Sequence, residues 1–256
     1  MNETECISIK NADLGYIKNN SHLTVLKNIN ASFFMGEMVG IVGINGIGKS
    51  TLLKSISGLI LPLTGEIFIN QRPRKQMSLL ELSQQISVVL TEKIEGFNLT
   101  AYDIVASGQM PYSNSFHQLF NNHKAYINEA IKACNLSSHI NKLSSELSDG
   151  LFQKTIIAKA LAQQTPIMLL DEPSAFLDYA SKHDIFILLK KLTEEKNKCI
   201  LISSHDLDLL LKYCNRLLII SENRCELIST KIAKENKSFQ IISGGHIQQY
   251  YLSRTI

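Results

Sequence analysis

The sequence predicts an α/β protein built on a parallel sheet, with a helical block inserted into it. Three observations predict this. Short apolar runs recur at Met38–Val42, Pro166–Leu170, Cys199–Ser203 and Arg216–Ile220, as strands buried in a central sheet do. Helical segments alternate with them, notably Ala180–Glu195 and Asp206–Tyr213, the pattern of parallel strands joined by crossover helices. From about Thr91 to Gln164 strand signals are absent and helical ones take over.

Along the chain, Leu23–Phe34 is β-rich and Met38–Val42 is a buried strand. Glycines follow, and Lys49–Ser57 has helical character. Gly65–Asn70 and Ile86–Leu90 are further strand candidates. Ala101–Ser107, Lys124–Cys134 and Phe152–Ala162 read as helices of the inserted block. Ser221–Arg224 suggests a hairpin turn, and the pattern after Thr230 assigns no element. Residues 1–256 are read as one domain, with the insertion at about 91–164.

Composition sets the outer limits. The 256 residues are 45% hydrophobic, enough for a sizeable core, and the net charge is +3. So small an excess argues for neither nucleic acid nor an anionic membrane as partner. Arg72–Lys75 and Lys190–Lys191 read as ordinary solvated faces. Cys6, Cys134, Cys199, Cys214 and Cys225 are an odd number, far apart, with no CxxC pair. Reduced, buried thiols are expected rather than a disulfide framework or zinc site. Met1–Lys10 carries acids and no apolar run, so it does not read as a signal peptide. No stretch approaches the ~18 apolar residues of a membrane span.

Gly43-Ile44-Asn45-Gly46-Ile47-Gly48-Lys49-Ser50 fits the phosphate-loop pattern GxxxxGK[ST], between a predicted strand and a predicted helix. The glycines permit a tight turn whose N–H groups face phosphate oxygens, and the helix N-terminus adds partial positive charge. Lys49 supplies a cation for the β- and γ-phosphates, and the Ser50 hydroxyl can ligate Mg²⁺. The bland alternative is a glycine-rich turn without a ligand, which the strand–loop–helix context disfavours. Ile167–Leu170 then ends in Asp171 and Glu172. Ligands gather at strand C-termini in such sheets. Asp171 can hold Mg²⁺ through water, and Glu172 is placed to orient or deprotonate an attacking water. Many strands end in acids, so this motif gains its weight from the phosphate loop. Leu147-Ser148-Asp149-Gly150, taken alone, is only a helix N-cap.

The order of these motifs, phosphate loop, LSDG, LLDEP, SAFLD and SSH, resembles the nucleotide-binding subunit of ABC transporters over roughly Ile7–Leu227. The resemblance implies a P-loop core with an antiparallel N-terminal β region and a helical subdomain. It implies that Tyr16 stacks on adenine, although a core tyrosine is the competing reading. It implies that Ser148 and Gly150 contact the γ-phosphate bound by an opposite subunit. Leu177-Asp178 would cross the dimer interface, and His205 would sense the γ-phosphate. Two positions depart from the family. Thr91 and Glu92 stand where a glutamine usually couples Mg²⁺ to the membrane subunit, and Leu151 replaces the usual Gln or Glu of the signature.

The function implied is ATP hydrolysis by a homodimer. Each ATP would lie between Gly43–Thr51 of one copy and Ser148–Gly150 of the other, with Mg²⁺ as cofactor. Two membrane-spanning permease subunits and an extracytoplasmic solute-binding protein are the expected partners, without nucleic acid. The expected location is the cytoplasmic face of the plasma (inner) membrane. Val88–Asn114 is similar to importers of iron-siderophore, haem or cobalamin complexes. The rival readings are a soluble ABC-type ATPase not tied to transport and a non-hydrolysing nucleotide-binding regulator.

Overall fold

A computed structural model describes residues 4–18, 21–90, 98–113, 121–221 and 225–235. Two sheets organise these residues. The first is antiparallel and contains β1 (Glu5–Lys18), β2 (Ser21–Phe34), β4 (Thr64–Ile69) and β5 (Arg72–Pro73), in the order β2-β1-β4-β5. The second contains β3 (Met38–Val42), β6 (Ile86–Val89), β7 (Ile167–Asp171), β8 (Cys199–Ser203), β9 (Arg216–Ile220) and β10 (Cys225–Ser229), in the order β10-β9-β3-β8-β7-β6. All its pairings are parallel except β9 with β10.

The apolar runs do what a doubly covered strand requires. In β7, Met168 and Leu170 enter one core while Ile167 and Leu169 enter the other. In β8, Ile200 and Ile202 face the first core and Cys199 and Leu201 the second. Period-two side chains on a sheet buried on both faces produce this division. The first core is closed by α3 (Ala101–Ser107), α4 (Asn121–Ala133), α5 (Asp149–Ala162), α6 (Tyr179–Lys196) and α7 (Leu207–Tyr213). The second is closed by α1 (Lys49–Ser57), α2 (Leu79–Gln85) and the antiparallel sheet. A last helix, α8, covers Thr230–Glu235. The fold is a P-loop α/β core with an antiparallel N-terminal sheet and helices between β6 and β7, as expected.

Several details differ from the sequence reading, among them helices α2 and α8, which had no counterpart there. Helix α5 begins at Asp149 rather than Phe152, because Ser148 caps it by accepting the Leu151 N–H. Strand β1 had no separate signature. Its pairing with β2 slips around Asn11, whose φ of 47° is left-handed, and the slip scrambles the alternation. Arg74 is no solvated cation: it is buried and donates to the Gly58 carbonyl at the end of α1. The turn expected at Ser221–Arg224 falls mostly on residues outside those described, although β9 and β10 pair antiparallel on either side. The five cysteines are free; burial pushes the Cys134 and Cys225 thiols up to about 12. Among the described residues no helix is long and apolar enough to cross a membrane.

Candidate functional site

Strands β3, β7 and β8 run parallel and side by side, so their C-terminal ends share one edge of the sheet. The glycine loop leaves β3 there, Asp171 and Glu172 leave β7, and His205 follows β8. Residues far apart in sequence are thereby gathered.

The loop is shaped by glycine. Gly46 and Gly48 have φ of 78° and 118°. A Cβ on Gly48 would stand 2.8 Å from a Val25 methyl and 2.9 Å from Leu26, so the position excludes side chains by space as well as by backbone. Helix α1 starts at once with Lys49. The Lys49 ammonium folds back across the loop and donates to the Gly43 carbonyl at 2.9 Å. Burial holds its pKa below the usual lysine value, against the opposing pull of the Glu172 and Asp171 carboxylates. Ser50 is exposed in the first turn of α1, and Thr51 is buried. The Thr51 hydroxyl shares a 3.2 Å hydrogen bond with the Tyr16 phenol. Tyr16 is 40% exposed.

Asp171 is 3% exposed. Glu172 has a φ of 48°, a left-handed conformation that costs a non-glycine residue about 1–2 kcal/mol. Its Oε1 lies 3.2 Å from His205 Nε2, an ion-pair distance without a well-aligned hydrogen bond. Burial raises the Glu172 pKa above the ordinary carboxylate range, Asp171 adds to the rise, and His205 and Lys49 oppose it. A raised carboxylate beside a histidine and a lysine is suited to taking a proton from water.

Ser50 and Asp171 each offer a hard oxygen of the kind Mg²⁺ takes when phosphates and water supply its other ligands. One residue escaped the sequence reading. Ser203, seen there only as the first serine of SSH, bonds to both Asp171 and the Glu172 backbone.

Ser148, Gly150 and Asp178 form a separate group. Ser148 caps α5, Gly150 lies in its first turn, and a Cβ there would only touch Leu177 and the Phe176 carbonyl, at 3.5 and 3.6 Å. Asp178 is exposed and caps α6 by accepting the Ser181 N–H at 2.8 Å; that bond holds its pKa below the usual value. Lys154 donates to the Ser181 hydroxyl at 3.0 Å and ties α5 to α6. None of Ser148, Gly150 and Asp178 bonds to Gly43–Thr51, Asp171, Glu172 or His205 among the described residues. Leu151 is half-buried against the first core. Thr91 and Glu92 lie outside the described residues.

Comparison with known proteins agrees with this geometry. The family described as ABC transporter matches residues 26–175. An uncharacterised ABC transporter ATP-binding protein of Methanocaldococcus jannaschii is 36% identical over 218 residues, covering 85% of this chain and 74% of that protein. The Probable siderophore transport system ATP-binding protein YusV of Bacillus subtilis is 31% identical over 218 residues, covering 85% and 78%. Among solved structures, a dimeric ATP-binding cassette in a post-hydrolysis state, bound to ADP and Pi, superposes with a TM-score of 0.77 at 27% identity. It covers 88% of this chain and 98% of that one. The chain belongs to the ABC transporter family and is an ATP-binding subunit of a transporter.

Proposed function

We propose that this subunit hydrolyses ATP to ADP and phosphate and drives import of an iron-siderophore or related metal-chelate complex. The observation that carries the hydrolytic reading is the convergence of Glu172, His205, Lys49 and Asp171 on one sheet edge. In this reading the glycine loop Gly43–Gly48 and the first turn of α1, from Lys49 to Thr51, cradle the triphosphate. The Lys49 ammonium exchanges its Gly43 carbonyl for phosphate oxygens, and Tyr16 stacks on the base. Glu172 orients water for in-line attack on the γ-phosphate and receives its proton. His205 holds the Glu172 carboxylate and meets the γ-phosphate. Mg²⁺, when bound, neutralises charge between the β- and γ-phosphates; Ser50 and, through water, Asp171 would hold it.

Two copies pack head to tail, with Ser148 and Gly150 of each completing the other's site and Asp178 lying at the interface. Two permease subunits and an extracytoplasmic solute-binding protein complete the transporter, at the cytoplasmic face of the membrane. The import class is supported by the wording of Val88–Asn114 and by the siderophore system to which one relative is assigned.

Phosphate release by the purified chain tests hydrolysis. Turnover that needs Mg²⁺ and stops with a chelator is expected; tight ATP binding without phosphate release would favour a nucleotide-binding regulator. Purification of the tagged chain from solubilised membranes tests the partners. Recovery of a polytopic membrane protein is expected, and recovery of soluble factors alone would oppose the transport reading.

A further inference from the structure

Ser203 ends β8 directly opposite Asp171 in the parallel register, and it is fully buried. Its hydroxyl donates to Asp171 Oδ1 at 2.7 Å and accepts the Glu172 N–H at 2.9 Å. A hydroxyl has one proton to give and lone pairs to receive, so these bonds fix its orientation. Both bonds act on residues whose geometry matters. One Asp171 oxygen is occupied, which distinguishes it from the other. The Glu172 N–H is anchored where the backbone is left-handed, a conformation that persists in a non-glycine residue only when its surroundings hold it. The Ala175 N–H closes the turn by donating to the Glu172 carbonyl at 3.2 Å. With its backbone held on both sides, Glu172 carries its carboxylate to 3.2 Å from His205.

We propose that Ser203 is a positioning residue for hydrolysis: its one hydroxyl holds the Glu172 backbone, and with it the carboxylate that lies beside His205. This rests on the hydrolytic reading above. Ser203 touches no reacting atom and acts through Glu172. The competing view is that Ser203 merely satisfies a buried strand end, which would cost stability and leave chemistry alone.

The test is steady-state hydrolysis, with thermal melting, of Ser203→Ala and Ser203→Thr, each alone and with Glu172→Gln. Ser203→Ala is expected to lower kcat by about 10- to 100-fold, the scale of a small misplacement of a catalytic group, with KM for ATP nearly unchanged. Ser203→Thr keeps the oxygen and should recover most of the loss. In the Glu172→Gln background, adding Ser203→Ala should cost much less, because the residue it positions no longer acts. Wild-type kcat in Ser203→Ala, or an equal loss in both backgrounds, overturns the proposal. If Ser203→Thr melts early, Ser203→Cys replaces it. That variant has similar volume but a weak donor, and it should behave as the alanine does; wild-type turnover there also overturns the proposal. Glu172→Gln alone separates the two levels. If it keeps turnover, the role of Glu172 in hydrolysis and that of Ser203 fall together; if only Ser203→Ala keeps turnover, the role of Ser203 falls alone.

Discussion

The sheet edge around Lys49, Asp171 and Glu172 differs sharply from the helix start around Ser148 and Gly150. At the sheet edge polar groups are joined, Lys49 to Gly43, Ser203 to Asp171 and Glu172, Glu172 to His205; Lys49, Asp171 and Ser203 are buried, Glu172 is partly buried and His205 is exposed. Two pKa values are displaced there, by burial first. At the helix start Ser148 is exposed and Gly150 half-exposed; among the described residues Ser148 bonds only within its own helix start. The first region is organised by its own side chains. The second is a surface, and its chemistry depends on what approaches it. Preorganised dipoles are worth most where water is excluded, which accounts for burial on one side. On the proposed head-to-tail packing, an element that docks on a second copy must stay open, which fits the exposure on the other.

Substitutions in the two regions should therefore behave differently. The largest effect belongs to Glu172→Gln, which removes the base and keeps the shape. Turnover should fall by roughly 10²–10⁴-fold with MgATP still bound, in a phosphate-release assay paired with calorimetry. Near-normal turnover would remove Glu172 from the chemistry. Lys49→Ala deletes the cation facing the triphosphate. A charge-assisted bond is worth about 1.5–3 kcal/mol, so ATP affinity should drop roughly 10- to 100-fold by calorimetry. Equal affinity in that variant would contradict the phosphate-loop assignment. Tyr16→Ala takes away one ring face, worth about 0.5–1.5 kcal/mol, and should weaken ATP roughly 2- to 10-fold with kcat preserved. An unchanged affinity would make Tyr16 a partner of Thr51 and nothing more. The smallest effect is expected in the open region. Ser148→Ala removes a helix cap whose bond is already long, at 3.4 Å, and should cost about 0.5–1 kcal/mol in a chemical melt. A loss several times larger would mean that Ser148 is part of the folded core.

Much of this was legible in the sequence, for a physical reason. Lys49–Ser57 and Ala101–Ser107 appear as helices with the bounds read from sequence, because their capping and periodicity are local. Lys49, Asp171 and Glu172 were legible for the same reason: loop and strand-end chemistry is written in consecutive residues. What was missed is non-local. The part proposed for Ser203 depends on β7 and β8 lying side by side in register, with Ser203 placed 31 positions beyond Glu172. Strand β1 hid behind the irregular pairing at Asn11. Helix α2 hid because Leu79 and Leu80 are exposed and blur its apolar face, although Ser78 and Glu81 form a capping box that signals its start.

The central claim is that the open region of one copy completes the buried region of another. Light scattering of Glu172→Gln, with and without MgATP, tests this most directly when compared with Glu172→Gln carrying Ser148→Arg. The first variant should hold ATP and double its mass, because ATP shifts the equilibrium toward the state that binds it better. The second should stay monomeric, with an arginine where the γ-phosphate must approach. If both variants double their mass equally with MgATP, Ser148 does not act across the interface, and the contrast between the two regions has another cause.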